Sequence, residues 1–300
     1  MTRHFLTLKD LSTSELVALI QRAIALKKDP TGPQTAKLMR LRTMVLIFEK
    51  SSTRTRTSFE VACAHLGGSS IFLSPTDSQM SRGESVSDTA RIVSSMADLI
   101  VMRTSEHSRV CTMAEHSAVP VINALSEDFH PCQLLADLQT FFEYRGNIQG
   151  AQAAFVGDGS SNVCQSWINA AAMMNFELRV GAPDGYHPQG ELVAAAGSHC
   201  QVTTSAQEAV SGVDLVITDT WTGMGQESEK RQRLDALNDF QVNQELMALA
   251  SKDALFMHCL PAYRGQEVSA EVLEGPQSVV WDEAENRLHA QKALIELLMT

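Results

Sequence analysis

SSTRTRTSFE, residues 51–60, is the stretch from which the fold of this chain follows. The run before it, MVLIF at 44–48, has the length and β-branched content of a buried strand, and after it Phe59, Ala62, Cys63 and Leu66 share one face of a helix. The stretch is therefore a strand-to-helix turn. Ser51, Ser52, Thr53 and Thr55 put hydroxyls where a helix leaves its first N–H groups unpaired, which serves either capping or anion binding. Two arginines fit less well there. A cation beside a helix N-terminus costs roughly 0.3–1 kcal/mol, so Arg54 and Arg56 call for a bound anion that offsets both the dipole and their mutual repulsion. The stretch reads as a phosphate site; the plainer alternative is a capped helix whose arginines face solvent or pair with carboxylates.

Three hundred residues exceed the usual single core and fit two domains of ordinary size. The apolar fraction of 44% is that of a soluble globular protein, and a net charge of −11 argues against nucleic acid or an anionic membrane as a partner. Against that charge a local arginine cluster is more telling. The six cysteines form no C-x-x-C pair and sit mostly in apolar runs, as free thiols do in a reducing compartment, so neither a disulfide framework nor a zinc site is implied. No apolar run approaches the ~20 residues that span a bilayer, and the N-terminus is not a signal peptide. The expected location is cytoplasmic, with no metal and no cofactor.

Outward from the turn, Ser12 and Glu15 make a capping-box pair ahead of the helical stripe Leu16, Leu19, Ile20 and Ala23. On the other side Gly67-Gly68 ends the helix, and 70–73 reads as a strand. Residues 74–88 are rich in turn formers and read as a long loop. Helix 89–97, strand 99–102, helix 108–117 and strand 119–122 continue an alternation that implies a parallel sheet with helices on both faces. Ligands collect at the carboxyl ends of such strands, where Arg103 is either solvated or reaching for a ligand. His130-Pro131 opens a helix on which Gln133 shares the histidine's side, and the histidine serves either structure or function. The turn RGNIQG (145–150) ends it and marks a boundary between residues 1–145 and 146–283.

A second alternating set follows: strand 152–157, helix 162–174, strand 177–182, helix 206–211, strands 213–218, 254–257 and 278–281, and a last helix over 284–300. The fold class is thus α/β, with two doubly wound parallel-sheet domains. The turn GDGSSN (157–162) has the first spacing of a dinucleotide fingerprint, but its third position is Asn162 and not glycine, which weakens that reading. Asp219 and Cys259 also stand at strand ends, each open to a plain structural role.

Taken together, FEKSSTRTRTSFE, HPCQ, HCLPAYRG and DEAENRLHAQKAL, in this order and spacing, resemble the aspartate/ornithine carbamoyltransferases, and among them the bacterial anabolic ornithine branch. The resemblance covers nearly the whole chain. HCLP and Lys50 are similar to the ornithine branch, whereas the aspartate branch usually has proline before its serine motif. The resemblance implies interdomain helices and a C-terminal helix, 284–300, that packs back on the first domain. It implies that Ser52, Thr53, Arg54 and Thr55 hold the phosphate of carbamoyl phosphate. Arg103 would bridge phosphate and carbonyl oxygen, His130 would donate to that oxygen, and Gln133 would face the carbamoyl amino group, within the segment that holds Pro131 and Cys132. Gln79 would reach a neighbouring subunit's site, in a homotrimer with shared sites, and Arg287 would also touch carbamoyl phosphate. Asn162 and Asp219, with Gly223 and Met224, would bind ornithine, and Cys259 and Leu260 would lie beside the reacting carbon.

Two positions depart from the family pattern. Its ornithine loop usually reads Ser-Met-Gly, here Gly223-Met224-Gly225, and Ser161 replaces a common second asparagine. One lost hydrogen bond costs about 0.5–1.5 kcal/mol, so weaker ornithine binding or an altered amine preference is expected. The implied reaction gives citrulline and phosphate, rising toward alkaline pH because the amine must be neutral. Closure of the 219–245 loop over the amino acid would exclude water. Rival readings are a carbamoyltransferase for putrescine or an acylated ornithine, a phosphate-ligand binding module without turnover, and, more distantly, a dinucleotide oxidoreductase.

Overall fold

The computed structural model describes residues 2–30, 32, 35–222 and 229–300. They form two compact units, residues Met1–Gln139 with Glu285–Thr300, and Thr140–Ala284.

In the first unit, α1 (Thr13–Lys28) precedes β1 (Thr43–Phe48), α2 (Thr53–His65), β2 (Ser69–Leu73), α3 (Val86–Ser94), β3 (Leu99–Arg103), α4 (His107–His116), β4 (Val121–Leu125) and the start of α5 (Pro131–Arg145). The four strands are all parallel, in the order β2-β1-β3-β4. Val45 and Ile47 of β1, Ile100 and Met102 of β3 and Val121 of β4 pack on Ala90 of α3 and on Val110 and Met113 of α4. Each such side chain, fully buried, contributes about 1.5–3 kcal/mol. After β1 the chain moves outward to β2, then returns to β3 on the other side. That reversal opens a crevice at the carboxyl ends of β1 and β3. The serine-threonine-arginine turn leaves one of these ends and Arg103 closes the other.

The second unit holds β5 (Gln152–Val156), α6 (Asn162–Met174), β6 (Glu177–Gly181), α7 (Gly190–Ala196), β7 (Cys200–Thr203), α8 (Ala206–Val210), β8 (Leu215–Thr218), α9 (Lys230–Leu237), α10 (Gln244–Met247), β9 (Leu255–His258), α11 (Ala270–Leu273) and the start of α12 (Val280–Met299). Its parallel sheet runs β7-β6-β5-β8-β9. Here the order reverses between β5 and β8, so the 157–162 turn and Asp219 emerge side by side. The remainder of α12 belongs to the first unit. Arg22 of α1 grips Glu296 with two bonds (2.7 and 3.0 Å), while Asn286 Oδ1 accepts from Lys27 Nζ (2.8 Å) and Gln139 Nε2 (3.0 Å).

The two α/β parallel sheets agree with the sequence reading, and several details correct it. Residues 278–281 are not a strand: Ser278 makes one isolated bridge to Phe256 and α12 begins at Val280, four residues before the expected start. A short apolar run does not distinguish a strand from a buried helix start. β4 starts after Pro120 and not at Val119, and α3 begins at Val86, inside the stretch read as loop. β7 and the short helices α7, α9, α10 and α11 carry too little periodicity to be seen. By compactness, the division into units falls inside α5 and α12. Among the described residues, no helix is long and apolar enough to cross a membrane.

Candidate active site

Ser52 is the N-cap of α2 in extended conformation, yet its hydroxyl makes no capping hydrogen bond. The first-turn N–H groups of a helix have no intrahelical acceptor, so this turn presents donors and a positive dipole end. Thr55 is buried and Arg54 half-buried, whereas Thr53 is exposed. The two arginines of the motif divide here. Arg56 is exposed, bonds Glu60 one turn on (3.0 Å) and lies 3.7 Å over the Phe72 ring. The plain reading therefore holds for Arg56, and the expectation that both arginines need an anion does not extend to it.

Arg103 is buried at the end of β3, with its carbonyl accepting from Glu49 N (2.8 Å). Glu49 in turn accepts from Arg109 Nε and Nη2 (3.0 and 2.6 Å) and from Thr104 Oγ1 (2.5 Å), so the exits of β1 and β3 are tied together. His130 is buried just before α5, and its pKa is held well below the usual 6.5, first by burial and then by Arg287, Arg103 and Arg54. Three guanidiniums thus act with burial to keep this imidazole neutral. Arg287, also buried, donates from Nη1 to Gln133 Oε1 (2.7 Å) and from Nη2 to Thr55 Oγ1 (3.2 Å). Gln133 Nε2 donates to Asp137 (2.8 Å), which fixes its orientation. Cys132 next to it is inert: burial pushes its thiol up to about 12, and Sγ donates to Asn123 O at 3.3 Å. Gln79 is exposed in a single 3-10 turn, Gln79–Arg82, on the outside of the unit.

In the second unit, Ser161 caps α6 by accepting from Cys164 N (3.2 Å), and Asn162 is the first helical residue. Serine and asparagine cap about equally well, which accounts for the substitution at 161. Gly157 has φ +119°, and a Cβ there would stand 3.1 Å from Trp221 Nε1; one on Gly159 would stand 2.9 Å from Tyr186 O. Both glycines are required by the protein's own packing, which removes the remaining argument for a dinucleotide.

Asp219 Oδ1 accepts from Thr220 N (2.7 Å) and from the Cys259 thiol (3.1 Å). Burial raises its pKa, against the opposing pull of His258 and of these donors. His258 and Glu267, both buried, form a support that sequence reasoning missed. Leu260 N donates to His258 Nδ1 (2.9 Å), which leaves Nε2 to carry the proton toward Glu267 Oε1 (3.1 Å). Tyr263 N donates to the same oxygen (2.6 Å). The arrangement holds Leu260 at φ +55°, a conformation unfavourable for a branched side chain. A histidine and a glutamate nine residues apart in a loop give no periodic signal. Ligand atoms of Asp219, His258 and Cys259 lie within 4.8 Å of one another, and Asp219 Oδ1, both His258 nitrogens and the Cys259 thiol have protein partners. Gly223 and Met224 lie outside the described residues.

The site thus pairs an arginine-bearing helix N-terminus in one α/β unit with a carboxylate-thiol pair at a strand end in the other unit's own fold. The model of the carbamoyl-P binding domain of aspartate/ornithine carbamoyltransferase matches residues 3–143, and that of its Asp/Orn binding domain matches residues 149–298. The chain belongs to the aspartate/ornithine carbamoyltransferase family. Within it, the chain is 59% identical to an ornithine carbamoyltransferase of Methylococcus capsulatus, covering 99% of both chains, and 55% identical to one of Nitrosococcus oceani, covering 99% and 97%. Among solved structures it is similar to the ornithine carbamoyltransferases of Burkholderia thailandensis (TM-score 0.91, 46% identity, 99% and 98% covered) and Pyrococcus furiosus (TM-score 0.93, 42% identity, 99% and 97% covered).

Proposed function

We propose that the chain transfers the carbamoyl group of carbamoyl phosphate to the δ-amine of L-ornithine, giving L-citrulline and phosphate, as a step of arginine biosynthesis. One observation carries this reading: Arg54, Arg103 and Arg287 converge on the buried, neutral His130 beside an open helix N-terminus. Three cations acting on one buried group favour a polyanion beside it, and a phosphate ester is one.

The roles follow from the chemistry. Ser52, Thr53, Arg54 and Thr55 hold the phosphate and draw off its charge as it leaves. Arg103 and His130 donate to the carbonyl oxygen as it becomes an oxyanion, a stabilisation worth most where water is excluded. His130 serves as a neutral donor because an imidazolium among three guanidiniums is disfavoured. Gln133, with Oε1 held by Arg287 and Nε2 by Asp137, faces the carbamoyl amino group. On the amine side, Asn162, Gly223 and Met224 take the amino acid, and Asp219 and Cys259 orient the δ-amine, with Leu260 beside the reacting carbon. A primary amine with a pKa near 10 is neutral in only ~1 part in 10³ at pH 7, so activity rises with pH.

The first unit thus serves carbamoyl phosphate and the second serves ornithine, in a cytoplasmic homotrimer in which Gln79 reaches the neighbouring subunit's site. The test is release of phosphate and ureido product from carbamoyl phosphate with ornithine, putrescine and acetylornithine, for the wild type and Gly223→Ser. Citrulline formation from ornithine, improved several-fold by serine, is the expected result; product only from another amine would reassign the substrate, and binding without turnover would make this a non-catalytic module.

A further inference from the structure

We propose that Arg233 is a positioning residue for the amine side of the site, a latch that fixes the segment carrying Asn162 against the segment carrying Asp219. The proposal rests on the carbamoyl-transfer reading above. Arg233 lies on α9, outside every motif of the family signature, and is only 6% exposed. Its Nε donates to Trp221 O at 2.5 Å, and its Nη2 pairs with Asp158 Oδ2. The guanidinium also stands 5.0 Å from the Tyr186 ring centroid.

Each partner stands near a substrate residue along the chain. Asp158 Oδ1 accepts from Ser160 N (3.0 Å) and Ser160 Oγ (2.6 Å), and Asp158 O accepts from Ser161 N (3.1 Å). Ser161 then caps the helix that begins with Asn162. Trp221 is two residues beyond Asp219, and its indole nitrogen faces Gly157, where a Cβ would come within 3.1 Å. One side chain therefore joins the turn after β5 to the segment after β8, across the crevice where the strand order reverses.

A buried ion pair is a poor device for stability alone, since apolar residues of the same volume often do as well. What it supplies is geometry. The planar fork has one spacing at which Nε meets a carbonyl and Nη2 meets a carboxylate, and a lysine ammonium cannot reach both in that register.

The experiment uses the full chain as Arg233→Ala, Arg233→Lys and Asp158→Asn, with KM for each substrate, kcat, thermal midpoint and recovery in added guanidinium chloride. The expected result for Arg233→Ala is a rise of about ten- to hundred-fold in the KM for ornithine, the size a misplaced contact produces, with the KM for carbamoyl phosphate unchanged within about threefold. Guanidinium ion, filling the vacated place, lowers the ornithine KM again. Arg233→Lys and Asp158→Asn, which perturb folding less, show intermediate rises on the ornithine side only. Equal rises in both KM values with a fallen midpoint and no recovery would make Arg233 a general structural residue and overturn the latch. Unchanged ornithine KM beside an active wild type overturns it as well. A wild type that makes no citrulline overturns the carbamoyl-transfer reading itself.

Discussion

Replacing Arg287 with glutamine separates the ligand's needs from those of the fold. In the free protein this guanidinium makes charged hydrogen bonds to Gln133 and Thr55, each worth about 1.5–3 kcal/mol. Against that gain stands repulsion from Arg103 and Arg54, the same charges that hold the His130 pKa down. Glutamine remakes part of the bonding and removes the repulsion, so the net loss of stability is within about 2 kcal/mol. A phosphate dianion changes the balance. At an effective dielectric near 20, a unit charge pair ~4 Å apart is worth about 4 kcal/mol, and the desolvation of Arg287 is already met in the folded protein. Discounted for the two remaining arginines, the loss of carbamoyl phosphate affinity is about 3 kcal/mol, or roughly 150-fold. Removing the largest charge near His130 also raises that residue's pKa, so the acid limb of the pH profile moves to higher pH. Steady-state kinetics with carbamoyl phosphate varied, calorimetry with inorganic phosphate and a thermal melt read all three. A KM change below about threefold would refute the assignment of Arg287 to the anion.

Arg56→Ala should leave the carbamoyl phosphate KM unchanged and cost less than about 1 kcal/mol in a denaturant titration, because Arg56 is occupied by an exposed pair with Glu60. His130 binds its proton only in the unfolded chain at mildly acid pH, so below pH 6.5 stability should fall by up to about 1.4 kcal/mol per pH unit on its account; His130→Gln should flatten that slope in melts across pH 5 to 7. Asp219 has the opposite sign: its raised pKa means the folded state favours the protonated acid, and stability is lost as pH rises through that pKa. Asp219→Asn should therefore raise the thermal midpoint at neutral pH while abolishing citrulline formation. Gly157→Ala places a side chain at φ +119° and against Trp221, and should destabilise by about 1–3 kcal/mol with a change in tryptophan fluorescence.

Much of the first unit was legible because its signals are local. A β-branched run, a hydroxyl-rich turn and an apolar stripe follow one another within 44–66, and Arg103 directly follows an apolar strand. The division between Arg54 and Arg56 was legible too, in the glutamate one helical turn beyond Arg56. Longer-range partners gave no such signal. Arg233 meets Asp158 across 75 residues, and His258 meets Glu267 only where the chain folds back after β9. The VVW run at 279–281 carries no decisive signal, because two valines and a tryptophan suit a strand as well as a buried helix start.

The central claim is that the turn at 52–55, with Arg54, Arg103 and Arg287, is the seat of the leaving phosphate. A crystal structure with carbamoyl phosphate bound tests it most directly. The account predicts phosphate oxygens on the first-turn N–H groups of α2 and on all three guanidiniums, with the carbonyl oxygen at Arg103 and His130. Carbamoyl phosphate bound elsewhere, with Arg54 turned to solvent, would contradict it.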